Sequence, residues 1–560
     1  MTKPGRPPRI AALLVAGILL ATSLALVGCV GTGLLDGLLG DGGATAPTAL
    51  PRAEGQAPAW TDGRPLGGTL RLAGGLPPTL DPAVAQDSTS AEYIVHLFSG
   101  LVRLDADLEV VPDLAEGWAL SEDGRTYTFT LRAGARFADG RPITAADVVY
   151  SLERACSPAL GSPVAASYLN DIVGVREYSR GEAEGIAGLR APSEGVVEIT
   201  TDAPKAYFLA KLTYPAAFVV DRDQVEAEGE RWMARPNGSG PFVLAEMSRE
   251  RIVLERNTRY YGLPPALDRV EYVVSGGFPI TMYENDELDI VEVPPSEMER
   301  VSDPENPLHG EVETASELSV TYLGLNVSLP PFDDPAVRQA LARAIDKAKI
   351  ADLVLQGGAT PAHGILPPSL PDYDPSFAGL SYDPASARSL LEGSRYGVEG
   401  LPPIYLATSG TSGYPDAVTE AILSFVEDHL GIEMTVHQVE WADFLRDMNA
   451  RRYPLFLTGW IADYPDSENF LDLLFHSASP QNHMGYANPE VDGLLEAARV
   501  EQDAAERTRL YREAERILVE DAAWIPLIHG VRVSLVKPYV RGYASTSAIF
   551  PWLGQVYIDR

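Results

Sequence analysis

Apolar and polar positions alternate most regularly in Thr126-Tyr127-Thr128-Phe129-Thr130-Leu131-Arg132. Tyr127, Phe129 and Leu131 share one face and the threonines with Arg132 take the other, which predicts a half-buried antiparallel strand. A turn signal follows at Phe137-Ala138-Asp139-Gly140. Thr144-Ala145-Ala146-Asp147 then opens a helix with capping-box spacing, and Val148, Leu152 and Ala155 form its apolar stripe. Asp334-Pro335 and Asp383-Pro384 start two more helices by one device, an N-cap acid followed by proline at the first helical position. Val337, Leu341, Ile345 and Ala348 are the stripe of the first of these. Residues 415–430 predict a further helix and 433–439 a strand. Leu510, Ala514, Ile517, Leu518 and Asp521 spell a long amphipathic helix, with a strand at 524–528 after it. Earlier, residues 68–73 predict a short strand and 93–101 a short helix ending at Gly100. Between them, Gly74-Gly75-Leu76-Pro77-Pro78 excludes helix and central strand, so its backbone is free to face a ligand. Helices alternating with strands predict the α/β class with mixed sheets.

Tyr453-Pro454-Leu455-Phe456-Leu457 has the length and composition of a buried strand. The stretch after it, Gly459-Trp460-Ile461-Ala462-Asp463-Tyr464-Pro465-Asp466, has the glycine, proline and acids of a turn. A carboxylate at a rigid strand exit beside an indole suits the capture of a cationic group in a half-dry site. The same residues also read as an ordinary strand end with an exposed acid.

The N-terminus changes the picture. Lys3, Arg6 and Arg9 precede an uncharged apolar run of 17 residues, 11–27. That is short for a membrane span and predicts a signal-peptide core. It ends in Leu26-Val27-Gly28-Cys29, which closely resembles the bacterial lipobox, where the cysteine becomes the lipidated N-terminus. Residues 30–65 are rich in Gly, Ala, Pro and Thr without periodicity, and predict a flexible tether. The expected destination is extracytoplasmic, anchored to the membrane through Cys29.

At 560 residues the chain exceeds one core and predicts roughly three to four domain-sized units. A formal net charge of −34 repels phosphate backbones and anionic lipid, which excludes a basic nucleic-acid face. Two cysteines, Cys29 and Cys156, exclude a disulfide framework and multi-Cys zinc or iron–sulfur sites. Cys156 is expected to be a small buried hydrophobe. The eight histidines form no His-Glu-x-x-His helix, and His476 and His483 stand seven apart. Neither metal nor cofactor is expected.

Longer patterns carry a resemblance. Leu114-Ala115-Glu116-Gly117-Trp118, the 124–132 strand and the run from Phe137 through Ala145-Ala146-Asp147-Val148-Val149-Tyr150 resemble the peptide and nickel family of solute-binding proteins that serve ABC-type importers. The likeness continues through Gly238-Ser239-Gly240-Pro241-Phe242, Arg251–Asn257 with Tyr260-Tyr261, Leu325-Asn326 and Pro330–Ala340. It ends at Leu535-Val536-Lys537-Pro538-Tyr539-Val540-Arg541-Gly542-Tyr543. The stretches around Arg251, Trp441, Trp460 and Lys537 look most like oligopeptide-binding members.

The resemblance implies a two-lobed periplasmic-binding-protein type II fold with a hinge and an insertion domain in the first lobe. Carried over, residues 1–28 are the signal peptide and 29–66 the lipidated cysteine and tether. The first lobe is 67–318 plus 530–560, with an insertion at about 88–206, and the second is 319–529. In oligopeptide-binding members the aspartate of Trp-x-x-Asp pairs with the peptide amine, and here that position is Asp463. Backbone at Gly459 and Ile461 would flank the peptide on one side and Gly74, Gly75 and Leu76 on the other. Trp460 and Trp441 would wall its side-chain pockets, although large aromatics are as often simple core. Leu457 stands where some relatives carry an arginine. Arg451, Arg452 and His437 are candidates for the ligand carboxylate by proximity alone.

These features lead to a monomeric receptor, not an enzyme, that takes short peptides to an ABC-type permease. A metal chelate or an oligosaccharide is the alternative cargo. A peptide hydrolase is the less favoured class, since no Gly-x-Ser-x-Gly elbow, zinc motif or Cys/His pair occurs. A chaperone or signalling role on the same fold also remains open.

Overall fold

One strand, Trp524–Val536, runs through the middle of the molecule. The computed structural model describes Trp60, residues 62–544 and residues 551–560. The expected signal segment, Cys29 and the tether as far as residue 59 lie outside the described residues. Among the described residues, no helix is long and apolar enough to cross a membrane.

The first half of the long strand pairs with Ser319–Leu325, and its second half pairs with Val312–Ser316 and Ile290–Glu292. A 12-stranded mixed sheet therefore continues from one lobe into the other. On the second-lobe side it runs outward through Ser319–Leu325, Leu455–Ile461, Ile404–Ser409 and Met434–Val439. On the first-lobe side it runs through Ile290–Glu292, Thr69–Ala73, Arg269–Val273, Arg251–Arg256 and Phe242–Met247. The register shifts between Thr321 and Tyr322, and Tyr322 faces Pro526. A proline has no N–H for the ladder, so an irregularity there is expected.

The chain crosses between lobes twice, near Glu317-Leu318 and near His529-Gly530. The two crossings are stitched together. His529 Nδ1 lies 3.0 Å from the Ser319 carbonyl, the Gly530 N–H donates to Ser319 Oγ at 3.2 Å, and Arg532 pairs with Glu317 at 3.1 Å. Two adjacent strands with so few fixed points form a hinge of the kind that lets lobes rotate as bodies.

A separate four-stranded antiparallel sheet, ordered Ala115–Leu120, Thr126–Leu131, Val196–Thr200 and Leu189–Ser193, is attached to the first lobe. Tyr127, Phe129 and Leu131 of the alternating strand face its core. The helix Ala145–Cys156 packs on it, and both the N–H and the hydroxyl of Thr144 donate to Asp147 Oδ2 at 2.8 Å. Cys156 is buried and unbridged, with its thiol pushed up to about 12 by burial. Asp334 and Asp383 cap their helices through the N–H groups of Ala336 and Ser386.

Three elements differ from the local pattern. The helix expected at 93–101 spans Ser88–Leu97, because Asp87 caps it by accepting from the Ser90 N–H at 2.9 Å. Its Tyr93, Ile94 and Leu97 are buried with Leu70, Leu254 and Val270, so it joins the first-lobe core and not the insertion's sheet. The strand expected at 524–528 continues to Val536. The expected turn at Gly459-Trp460-Ile461 is strand, since these residues pair with Thr321, Val320 and Ser319.

Gly238-Ser239-Gly240 exists because two backbones meet there. The Gly240 N–H donates to the Leu97 carbonyl at 2.9 Å and the Ser99 N–H to Ser239 Oγ at 3.1 Å. A Cβ on Gly238 would lie 1.9 Å from the Leu97 oxygen, and a carbonyl oxygen of the backbone cannot swing away. Gly238→Ala is expected to lower stability by about 1–3 kcal/mol, read as a fall in the denaturation midpoint at unchanged m-value.

Candidate functional site

Between the lobes, against the hinge, lies a cavity of about 490 Å3. Leu76 and Glu92 line it from the first lobe, Glu317 and Arg532 from the crossing strands, and Trp441 and Ile461 from the second lobe. The volume is in the ordinary range for a small-molecule cleft.

On the second-lobe side the wall is a strand with one open edge. Leu455–Ile461 pairs along its whole length with Ser319–Leu325, and the Ala462 N–H extends the ladder to the Leu318 carbonyl at 2.8 Å. The alternation of an antiparallel ladder then turns the backbone groups of Gly459 and Ile461 away from that partner. On their far side the parallel neighbour Ile404–Ser409 reaches only Leu455 and Phe456. Among the described residues, Gly459 and Ile461 thus present backbone donors and acceptors with no strand beside them, the geometry of strand addition.

On the first-lobe side, Gly74 still bonds to the Val273 carbonyl at 3.0 Å, and the Gly75 carbonyl accepts the Tyr93 hydroxyl at 2.7 Å. A Cβ on Gly74 would come within 2.8 Å of the Tyr93 hydroxyl oxygen, so only glycine lets the chain pass over that ring. Leu76, beyond it, is half exposed at the cavity wall.

Asp463 lies two residues past Ile461, is completely buried and is not among the residues that line the cavity. Its N–H donates to Asn469 Oδ1 at 2.9 Å, and the same oxygen accepts the Trp460 indole N–H at 3.0 Å. Among the described residues, no hydrogen-bond donor reaches either carboxylate oxygen of Asp463. Burial raises its pKa well above the usual carboxylate value, nearby Asn469 opposes this, and Glu468 adds to it. The contrast with its neighbours is informative. Of the four acids in residues 463–472, Asp466 is paired with Arg507 at 2.6 Å, Glu468 with Lys211 at 3.1 Å and Asp472 with Arg499 at 2.5 Å. Of these four acids, only Asp463 has no ion-pair partner among the described residues.

The cavity itself is acidic. Asp87, Glu92, Glu292 and Glu317 line it against one base, Arg532, which already pairs with Glu317. Burial pushes the Glu92 carboxyl up to about 7, with Arg532 drawing it down and Glu292 reinforcing the rise. Glu292 is raised by the same burial.

The remaining candidates fall in different places. Trp441 lines the cavity, stacked on Phe444 with centroids 5.9 Å apart, and Glu440 caps its helix by accepting from the Ala442 N–H. Trp460 is buried in the core, outside the cavity lining, and acts through Asn469. Arg451 is exposed, Arg452 is exposed and bridged to Asp447, and His437 sits on the outer strand Met434–Val439. None of the three lines the cavity. Leu457 packs on the second-lobe core. Local sequence did not single out Arg532, Glu92 or Asn469. The first is one residue of a long apolar strand, the second sits ahead of the expected helix, and the third follows the turn.

Comparison with known proteins adds the following. Residues 109–482 match the family model described as bacterial extracellular solute-binding proteins, family 5 Middle. The chain is 31% identical over 480 residues to the periplasmic oligopeptide-binding protein OppA of Escherichia coli (strain K12), covering 83% of this chain and 87% of that one. It is also 31% identical over 486 residues to the probable deoxycholate-binding periplasmic protein YgiS of the same organism, covering 83% and 89%. Among solved structures it is similar to the E. coli murein tripeptide binding protein MppA, with a TM-score of 0.80, 28% identity and coverage of 89% of this chain and 99% of that one. MppA in its unliganded open form gives 0.68.

Asn469 is the polar hub of the site. Asn469→Ala leaves the Asp463 N–H and the Trp460 indole N–H unpaired in a dry interior. It is expected to cost about 1–3 kcal/mol for each stranded group, measured by chemical denaturation against Trp460 fluorescence.

Proposed function

The chain belongs to the bacterial extracellular solute-binding proteins of family 5, and on that footing we propose that it captures short peptides between its lobes and delivers them to an ABC-type permease. It is an extracytoplasmic binding receptor and not an enzyme. One observation carries the choice of cargo: Asp463 is the one acid of its loop without a cation, in a site too dry to leave it charged alone. A peptide's ammonium supplies that cation, and the pairing is favourable only where geometry and hydrogen bonds offset desolvation.

The extended peptide backbone would lie against the open edge at Gly459 and Ile461, with Gly74–Leu76 facing it from the first lobe. Trp441 would wall a side-chain pocket. Arg532 stands in the cavity as the base nearest to hand for a ligand carboxylate, sharing its charge with Glu317. The ligand touches both lobes together only when they close, so its differential affinity shifts the population toward the closed form. The acidic wall disfavours an anionic cargo such as the deoxycholate named for one relative, and favours peptides with basic side chains. Lipidation of Cys29, with residues 29–66 as tether, would keep the receptor near its permease.

Ligands released by denaturing the purified protein identify the cargo. Mass spectrometry is expected to find a mixed set of short peptides, whereas a single sugar, a steroid acid or a metal chelate would sink the peptide reading.

Asp463 sets a second test. Its carboxyl is neutral in the free site below its raised pKa and charged in the complex, so binding expels a proton. Affinity for trialanine is expected to rise with pH above the usual carboxylate range and to level off above the raised pKa. Calorimetry in buffers of different ionisation enthalpy reads the proton directly. Asp463→Ala should cost about 2–5 kcal/mol of affinity and abolish the difference between trialanine and its N-acetylated form.

Glu92 is charged only above about pH 7. The preference for trilysine over trialanine should therefore grow between about pH 6 and 8, and Glu92→Gln should flatten that growth.

A further inference from the structure

The loop that carries Asp463 meets the first lobe at a second place, away from the cleft. Lys211 ends the short helix Phe208–Lys211. Its Nζ lies 2.9 Å from Asp171 and 3.1 Å from Glu468, and its side chain is 3% exposed. Asp171 and Lys211 precede the first crossing between lobes, whereas Glu468 lies in the second lobe. Glu468 also accepts the Tyr464 hydroxyl. Rings reinforce the contact: Tyr168 meets Tyr464 edge-on with centroids 6.2 Å apart, and Arg507 lies over the Tyr207 ring at 5.7 Å.

Resting on the receptor reading above, we propose that Lys211 is a positioning residue for ligand capture, docking on Glu468 when the lobes close and so fixing the loop that holds Asp463. Glu468 is adjacent to Asn469, which holds the Asp463 N–H and the Trp460 indole. One peptide bond therefore separates the interlobe ion pair from the group that places the anchor. The contact joins residues of opposite lobes, so it can form only in the closed arrangement and shifts the population toward it. Two cations serve Asp171, Lys211 and Lys205 at 3.3 Å, whereas Glu468 has Lys211 alone among the described residues. Removing Lys211 thus leaves the first-lobe acid partnered and strips the second-lobe one.

The test needs no knowledge of the cargo. Small-angle scattering is recorded on wild type, Lys211→Met, Lys211→Arg and Glu468→Gln, each as purified and again after ligand removal by unfolding and refolding. Lys211→Met and Glu468→Gln are expected to lower the closed fraction at least threefold in one or both preparations. Their double variant should do no more than either alone, and Lys211→Arg should restore closure. Added trialanine should bind Lys211→Met at least tenfold more weakly than wild type. Circular dichroism and the melting curve check folding, and a variant that melts early yet closes like wild type assigns Lys211 a purely structural role and overturns the proposal. Wild type that is open in both preparations overturns it as well. Failure of the peptide reading shows separately, as a co-purified ligand that is not a peptide while the scattering contrast persists.

Discussion

A carboxyl group sealed from water must be neutral or must face a cation, because an isolated buried charge costs several kcal/mol even after the surroundings relax. Asp463 is in that position, and much of the site follows from it. Asn469 occupies the N–H beside it and the indole behind it, which fixes the backbone and leaves the carboxylate oxygens free. The bases in reach of the same loop, Arg507, Lys211 and Arg499, are held by Asp466, Glu468 and Asp472. The protein spends three cations on three acids and withholds a fourth. Asp463 is therefore either protonated or, on the proposed reading, met by the ammonium of the cargo.

The long strand Trp524–Val536 gives that local demand a consequence at the scale of the molecule. Its hydrogen bonds belong to both lobes, so the lobes are joined by a continuous sheet and not by a loose linker. Arg532 and Glu317 sit on the two crossing strands and line the cavity, which places their charges at the pivot, where closure moves them least. Ile461 and Leu76 come from opposite lobes and line the same cavity. The open backbone edge beside Asp463 is what a ligand of varied side chains requires, since it offers bonds to the part that all such ligands share.

Local patterning makes much of this legible and stops at definite points. The alternation at Thr126–Leu131, the caps at Thr144, Asp334 and Asp383, and the apolar run before Gly459 each predict an element that is present, because those signals depend on neighbours in sequence. The continuation of strand through Gly459-Trp460-Ile461 does not show locally, since glycine beside acids and proline resembles a turn. It is the ladder to Ser319–Thr321 that overrides that preference. Arg532 is invisible for a related reason: one basic residue among valines and leucines reads as an exposed position, and only the crossing of two lobes puts it in a cavity. Lys211 and Glu468 share no sequence pattern, and their pairing follows only from the tertiary arrangement. Trp460 shows the limit of carrying a role by motif, for its indole is engaged with Asn469 behind the site and not with the cavity.

Interlobe contact outside the cleft bears on how such a receptor tolerates varied cargo. A ligand shifts the open–closed equilibrium only by its differential affinity for the two forms, and weak or mismatched side chains contribute little to it. If closure depended on the cleft alone, the affinity for each peptide would follow its side chains closely. On the proposed role of Lys211, an ion pair at Lys211–Glu468 would supply part of the closing energy from the protein itself, identical for every ligand. Its own desolvation limits that contribution, since two buried charges must be stripped of water before they attract. If such a pair held the free equilibrium near balance, a common feature of the cargo, an amine meeting Asp463, would be enough to decide it.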